Sequence, residues 1–133
     1  MRKERKMRGF TLVELLIVLL ILGILIGLAV PRYLASIDKS KETTFCSNVR
    51  NVISAIEAWR MDTATTAYPS TATLNQIITS TAYFSQPPIN PYTGTVLKAV
   101  ADTPSIAGVF QYTDPATPGA VYTASTNPDC GIR

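Results

Sequence analysis

From Phe10 to Val30 the chain runs for 21 residues, F-T-L-V-E-L-L-I-V-L-L-I-L-G-I-L-I-G-L-A-V, with one charge, Glu14, and one hydroxyl, Thr11. At about 1.5 Å per residue this makes a helix of ~31 Å, the thickness of a bilayer's hydrocarbon core. A soluble fold of this size does not normally bury so uniform a helix, so the run reads as membrane-spanning. Glu14 complicates that reading. A passive anchor has no use for a carboxylate, which therefore needs a partner or a purpose.

The flanks orient the segment. Arg2, Lys3, Arg5, Lys6 and Arg8 against Glu4 give the first nine residues a net charge of +4, and a basic flank stays in the cytoplasm. From Phe10 onward the balance is −1. The basic pI is thus a property of the leader, and the rest carries no global nucleic-acid footprint. A cleaved secretory signal is the competing reading, but its apolar region spans about 7–15 residues and ends at an A-x-A site. Here the run is longer and passes through Leu28-Ala29-Val30-Pro31 into a helical pattern.

Gly23 and Gly27 form G-x-x-x-G, a weak helix-packing signal in a membrane segment. Pro31 removes a backbone donor at the outer edge, so a kink or local unwinding is expected near Gly27–Pro31. Beyond it Leu34, Ile37, Phe45, Val49, Val52, Ile56 and Trp59 form an apolar stripe, the last five at spacings of 4, 3, 4 and 3. That is helical periodicity. The helix should end near 62–67, ahead of Tyr68-Pro69. A Thr/Ser/Ala-rich connector follows, with one short helical candidate at Thr73–Thr79 exposing Leu74, Ile77 and Ile78 on one face. Gln86 to Gly94, Q-P-P-I-N-P-Y-T-G, is dense turn chemistry. Three β-like runs then appear, Thr95–Val100, Ile106–Thr113 and Ala120–Ala124, separated by turns at Asp102-Thr103-Pro104 and Asp114–Gly119. The expected fold is α+β: a long N-terminal helix packed on a small antiparallel sheet of about three strands, with the Phe45–Trp59 stripe as lid.

At its start the chain reads R-G-F-T-L-V-E-L-L-I-V, a short basic leader, Gly before Phe, and Glu five residues further into an uninterrupted apolar helix. This resembles the prepilin motif of type IV pilins and their pseudopilin relatives, closely from Arg8 to about Tyr33 and loosely beyond. The P87-x-x-x-P91-Y92-x-G94 stretch is similar to the segment that precedes the sheet in many of them. The resemblance implies cleavage between Gly9 and Phe10 by a prepilin peptidase that also methylates the new Phe10 amine, leaving 124 residues. It implies an assembly role for Glu14, opposite the Phe10 amine of a neighbouring subunit, and helix extension around Gly23, Gly27 and Pro31 on assembly. The implied divisions are a removed leader (1–9), a membrane and filament-core half (10–31) and a globular domain (32–133). That last part comprises helix to 64, connector 65–94, and sheet with tail 95–133. Self-association into a helical polymer, the pilus or secretion machinery, and the inner membrane are the implied partners. The implied locations are inner membrane for the precursor and extracellular filament after assembly.

Each feature also has a plainer explanation. Gly9 brings backbone close to a protease because it has no side chain, or it merely separates leader from helix. Thr11-Leu12-Val13-Glu14 is a T-x-x-E capping box, and an acid in the first turn favours the helix dipole. Cys46 and Cys130 suit an exported, oxidising compartment, and a bond between them is expected, with two free thiols as the alternative. In many pilins both bridge cysteines lie near the C-terminus, so this pairing departs from the family pattern. Asp102, Asp114 and Asp129 lack calcium-loop spacing and read as solvated turn residues. With no histidine anywhere, Ser-His and Cys-His catalysis is excluded. Neither a cofactor nor a metal is implied, and an enzyme is the least favoured class. The leading expectation is a type IV pilin polymerised into an extracellular filament. The alternatives are a pseudopilin of type II secretion or DNA uptake, and a monomeric membrane-anchored binding domain.

Overall fold

The computed structural model describes residues 9–101, 107–113 and 121–132. Contacts divide the chain into two compact units, Met1–Asp38 and Lys39–Arg133. The leader before Gly9 and the turns containing Asp102-Thr103-Pro104 and Asp114–Gly119 lie outside the described residues.

Helix α1 spans Leu12–Asp62, 51 residues with Pro31 inside it. Backbone assignment stays helical through Gly23, Gly27 and Pro31, so the expected unwinding there is not part of this conformation. A single proline removes only one intrahelical donor, and the residue four before it is Gly27, which adds no side chain to the crowded turn. The helix stops with a Schellman motif. Thr65 N–H donates to Arg60 O (3.1 Å) and Ala64 N–H to Met61 O (3.2 Å), with Ala64 at a left-handed φ of 50°. These bonds satisfy carbonyls that the last turn leaves open.

Helix α2, Thr71–Thr79, starts where Ser70 accepts a bond from Thr73 N–H (3.2 Å), an N-cap. It buries Leu74, Ile77 and Ile78 on one face. The sheet has the order β1 (Ala99–Val100), β2 (Val109–Thr113), β3 (Thr123–Asn127). β2 and β3 pair antiparallel, as expected, but β1 pairs parallel with β2 through Ala99–Phe110 and Val100–Gln111, so the sheet is mixed. The cause lies upstream. Val96 bridges back to Ile89, and Leu97 N–H donates to Pro88 O (2.8 Å), so the run from Thr95 first closes a hairpin around Pro91–Gly94. Only Ala99 and Val100 remain for the sheet. Asn75 then takes the outer edge of Ala99, accepting from its N–H (2.9 Å) and donating to its carbonyl (3.1 Å), as a further strand would. β3 also lies further along the chain than the apolar run suggested. T-A-S-T-N is polar because it is an edge strand whose residues alternate between exposed and half-buried.

One core joins these elements within Lys39–Arg133. Phe45, Val49, Val52 and Ile56 of α1 meet Leu74 and Ile78 of α2, Leu97 and Ala99, Phe110 and Tyr112 of β2, and Cys130. Each large apolar side chain so buried stabilises by about 1.5–3 kcal/mol. The long-helix-on-small-sheet α+β fold is therefore present. Three stripe positions differ from expectation: Leu34 is exposed, and Ile37 and Trp59 are only half-buried. The buried face of α1 ends at Ile56, one turn before Trp59.

Candidate functional site

The first turn of α1 is built by three bonds between two residues. Thr11 N–H and Thr11 Oγ1 donate to Glu14 Oε2 (3.0 and 3.2 Å), and Glu14 N–H donates to Thr11 Oγ1 (3.3 Å). This is a reciprocal capping box. Among the described residues nothing bonds Glu14 Oε1, so half of the carboxylate stays open while the cap is made. Gly9 and Phe10 precede the helix and are exposed, Phe10 at 81%.

The apolar half of the helix is uncovered. Of its membrane-length window, none is buried within the chain, and Leu12 through Val30 present aliphatic side chains on every side. In water such a surface would cost about 25 cal/mol per Å². Lipid or other chains must therefore cover it. Gly23 and Gly27 lie in this stretch with open space where a Cβ would be.

Within Lys39–Arg133 a disulfide joins Cys46 to Cys130 across 84 residues. Arg50 Nη2 donates to Cys130 O (3.1 Å), and Cys130 N–H donates to Thr126 Oγ1 (2.9 Å), so the tail is held to α1 and to β3 at one point. Asn48, on the same helix, donates to Ile89 O (2.7 Å) and holds the Pro-rich turn. That turn is organised by Asn90, the one buried polar side chain among the described residues. Its Nδ2 donates to Gly108 O (2.6 Å) and its Oδ1 accepts from Tyr92 N–H (3.0 Å). Gly108 has a φ of +85°, and a Cβ there would lie 2.7 Å from Tyr92 Cβ. Sequence periodicity did not single out Asn48, Arg50 or Asn90, because each acts on backbone far along the chain. The N-P-Y-T-G string was the only local signal.

A cation and three phenols close the far end. Arg60 lies 4.1 Å from the Tyr68 ring centre and pairs with Glu57 (2.8 Å), while its Nη2 donates to Thr66 O (3.2 Å). Tyr68 meets Tyr122 edge-on at 4.9 Å, and Tyr122 stacks on Tyr112 at 5.2 Å. Partial burial, then the negative charge of Glu57, raise the Tyr122 phenol above its ordinary value, with Arg60 opposing. Desolvation and a hydrogen bond to Asp62 raise Tyr83. Asp129 Oδ1 accepts from Gly131 N–H (2.8 Å), so it serves a turn; Asp102 and Asp114 lie outside the described residues. Among the described residues no His/Cys/Asp/Glu group of three has metal-site geometry.

An apolar half-helix that opens on Phe10 with Glu14 in its first turn is long and apolar enough to anchor a chain in a membrane. Residues 5–30 match the prokaryotic N-terminal methylation motif. At its N-terminus the chain is thus similar to the type IV pilin-like proteins, pilins and pseudopilins alike. Its relatives narrow this. It is 27% identical to type II secretion system core protein G of Klebsiella michiganensis over 128 residues, 96% of this chain and 87% of that protein. It is 29% identical to core protein G of Vibrio cholerae over 122 residues, 91% and 80% of the two chains. With core protein G of Pseudomonas aeruginosa it shares 36% identity over 69 residues, and that match spans 47% of the relative, about half its length. No solved structure matches the chain.

Proposed function

We propose that the chain is a pseudopilin subunit of a type II secretion assembly, made as a precursor and polymerised into a periplasmic filament. The observation that carries this reading is similarity to core protein G along 96% of the chain, well beyond the shared N-terminal motif. The motif alone suits a pilus pilin equally, which is why an extracellular filament led the expectations. The relatives favour the secretion alternative over it.

In this reading a prepilin peptidase cuts between Gly9 and Phe10 and methylates the new amine. The apolar half-helix waits in the inner membrane, where lipid covers it. Extraction by the assembly machinery then exchanges lipid contacts for helix–helix contacts. The amine of Phe10 on one subunit meets the open Oε1 of Glu14 on another, and an unpaired charge in that low dielectric is heavily penalised, which fixes register.

Deleting the gene tests the assignment. The expected result is secreted proteins retained in the periplasm with surface pili unchanged; lost pili with intact secretion would overturn it. N-terminal sequencing of the mature chain should begin at methylated Phe10. Glu14→Ala should leave processed protein in the membrane and abolish filament formation, whereas a purely local cap would leave assembly intact.

A further inference from the structure

Trp59 is the sole tryptophan of the chain, yet the core stops short of it and it stays partly exposed. It borders a cleft of about 420 Å³ between the end of α1, helix α2 and the turn after it. That is within the roughly 300–1,000 Å³ of small-molecule sites. Tyr83 and Ile77 also line it, and Thr73, Gln76 and Ser80 supply polar groups. The indole N–H of Trp59 and the side-chain amide of Gln76 have no hydrogen-bond partner among the described residues. Ser80 Oγ accepts from Ala82 N–H (3.2 Å) and keeps its own proton to donate. No lining residue is ionised.

From this set we infer that the cleft binds a neutral carbohydrate, one pyranose ring lying on the Trp59 indole with its hydroxyls directed at Gln76 and Ser80. A charged ligand finds no counter-charge in the lining. A purely apolar one would leave the indole N–H and the Gln76 amide without partners, at a cost that a hydroxylated ligand avoids. A pyranose offers both surfaces at once, an apolar C–H face for an aromatic ring and a rim of donors and acceptors. Aromatic side chains with a polar edge suit such mixed surfaces. The inference does not depend on the secretion assignment, because it rests on the Lys39–Arg133 unit alone.

The single tryptophan makes the test direct. The full chain, held in lipid nanodiscs to avoid glycoside detergents, is titrated with chitotriose and with maltotriose while Trp59 emission is followed. A saturable change with either is expected. The stronger response shows whether N-acetylated cell-wall-type glycans or plain glucans are the source. Gln76→Ala should weaken the response about tenfold, the value of one hydrogen bond. Gln76 is exposed and its helix packs through Leu74, Ile77 and Ile78, so unchanged far-UV circular dichroism is expected, and Tyr83→Ala provides a second variant. Absence of a saturable change with both sugars overturns the proposal. So does an equal change with sorbitol, a response kept in both variants, or emission that follows protein concentration instead of sugar, which would make the cleft a contact between copies.

Discussion

Leu15, Leu16, Leu19 and Leu20 share a helix with Phe45, Val49, Val52 and Ile56. The first four are about half or more exposed, and the second four are fully buried. Apart from the donor missing at Pro31, α1 is an α-helix from Leu12 to Asp62, so backbone geometry does not separate the two groups. Their surroundings do. Past Lys39 the chain returns to cover one face of the helix, through α2, the Pro-rich turn and β2. The membrane-length window of the same helix has none of its residues buried by the described residues. One half is thus folded by its own chain and the other by whatever medium holds it, first lipid and, in the proposed filament, other copies. Substitutions should therefore read out in different assays according to the half they fall in.

The largest expected separation comes from the disulfide. Closing an 84-residue interval limits the unfolded chain, and chain entropy puts the effect on the order of 4 kcal/mol. Cys46→Ser with Cys130→Ser, or reduction, should lower the thermal midpoint of the Lys39–Arg133 unit by many degrees in calorimetry. Helix content of the apolar half in nanodiscs should not change. Equal loss in both halves would show that they unfold as one.

Truncating one side chain in each half sharpens the contrast. Phe45 is fully buried and meets Tyr92 edge-on at 5.8 Å, so Phe45→Ala should cost about 3 kcal/mol in a denaturant titration. Leu20→Ala removes a similarly large apolar side chain from a residue that is 65% exposed, and should leave that titration unchanged. Its effect should appear only in how readily the chain is extracted from lipid.

The two halves also differed in how plainly the sequence declared them. Phe10–Val30 needs no partner to be recognised, since composition and length alone match the bilayer. The stripe from Phe45 to Ile56 was legible from its period, and α2 from Leu74, Ile77 and Ile78. The sheet was less so. Its β1 pairs parallel because the run from Thr95 first closes back on Pro88 and Ile89, and Asn75, 24 residues earlier, covers the edge of Ala99; no local pattern encodes either contact. β3 is polar, so a search for apolar runs placed it too early. In the candidate site, Thr11 and Glu14 were visible as a capping box, whereas Asn90 and Gly108 were not. Their pairing is a contact across 18 residues that only the folded turn brings about.

Glycines give a smaller version of the same contrast. Gly108→Ala would force a left-handed φ on a β-carbon and press it against Tyr92 Cβ and Asn90 Oδ1 at 2.7 and 2.9 Å. We expect a loss of about 2 kcal/mol by chemical denaturation, in the range for a residue held in a sparsely populated conformation. Gly23→Ala meets open space and replaces the poorer helix former with the best one. In the membrane half it should be neutral or stabilising by up to about 1 kcal/mol. A destabilising Gly23→Ala that also blocks filament formation would reveal a close helix–helix contact at that glycine.

The smallest effect is one of pH, and it should leave the apolar half untouched, because Phe10–Val30 contains no tyrosine. Tyr122 is partly buried between Tyr68 and Tyr112, and desolvation together with Glu57 holds its phenol above the ordinary 10.0. Below that value the phenol is protonated in both the folded and the unfolded chain, so the raised value gives stability no slope. Above it the unfolded chain releases its proton first while the folded chain retains it. Stability should therefore fall as pH climbs past 10.0 and through the folded value. Tyr122→Phe keeps both ring contacts and removes the ionisable group, so its thermal midpoint should decline less between neutral and strongly alkaline pH than that of the unmodified chain. Solvent reaches part of the ring, which keeps the difference small. A parallel decline in the two proteins would place the alkaline sensitivity on another phenol, with Tyr83, also raised, the next to replace.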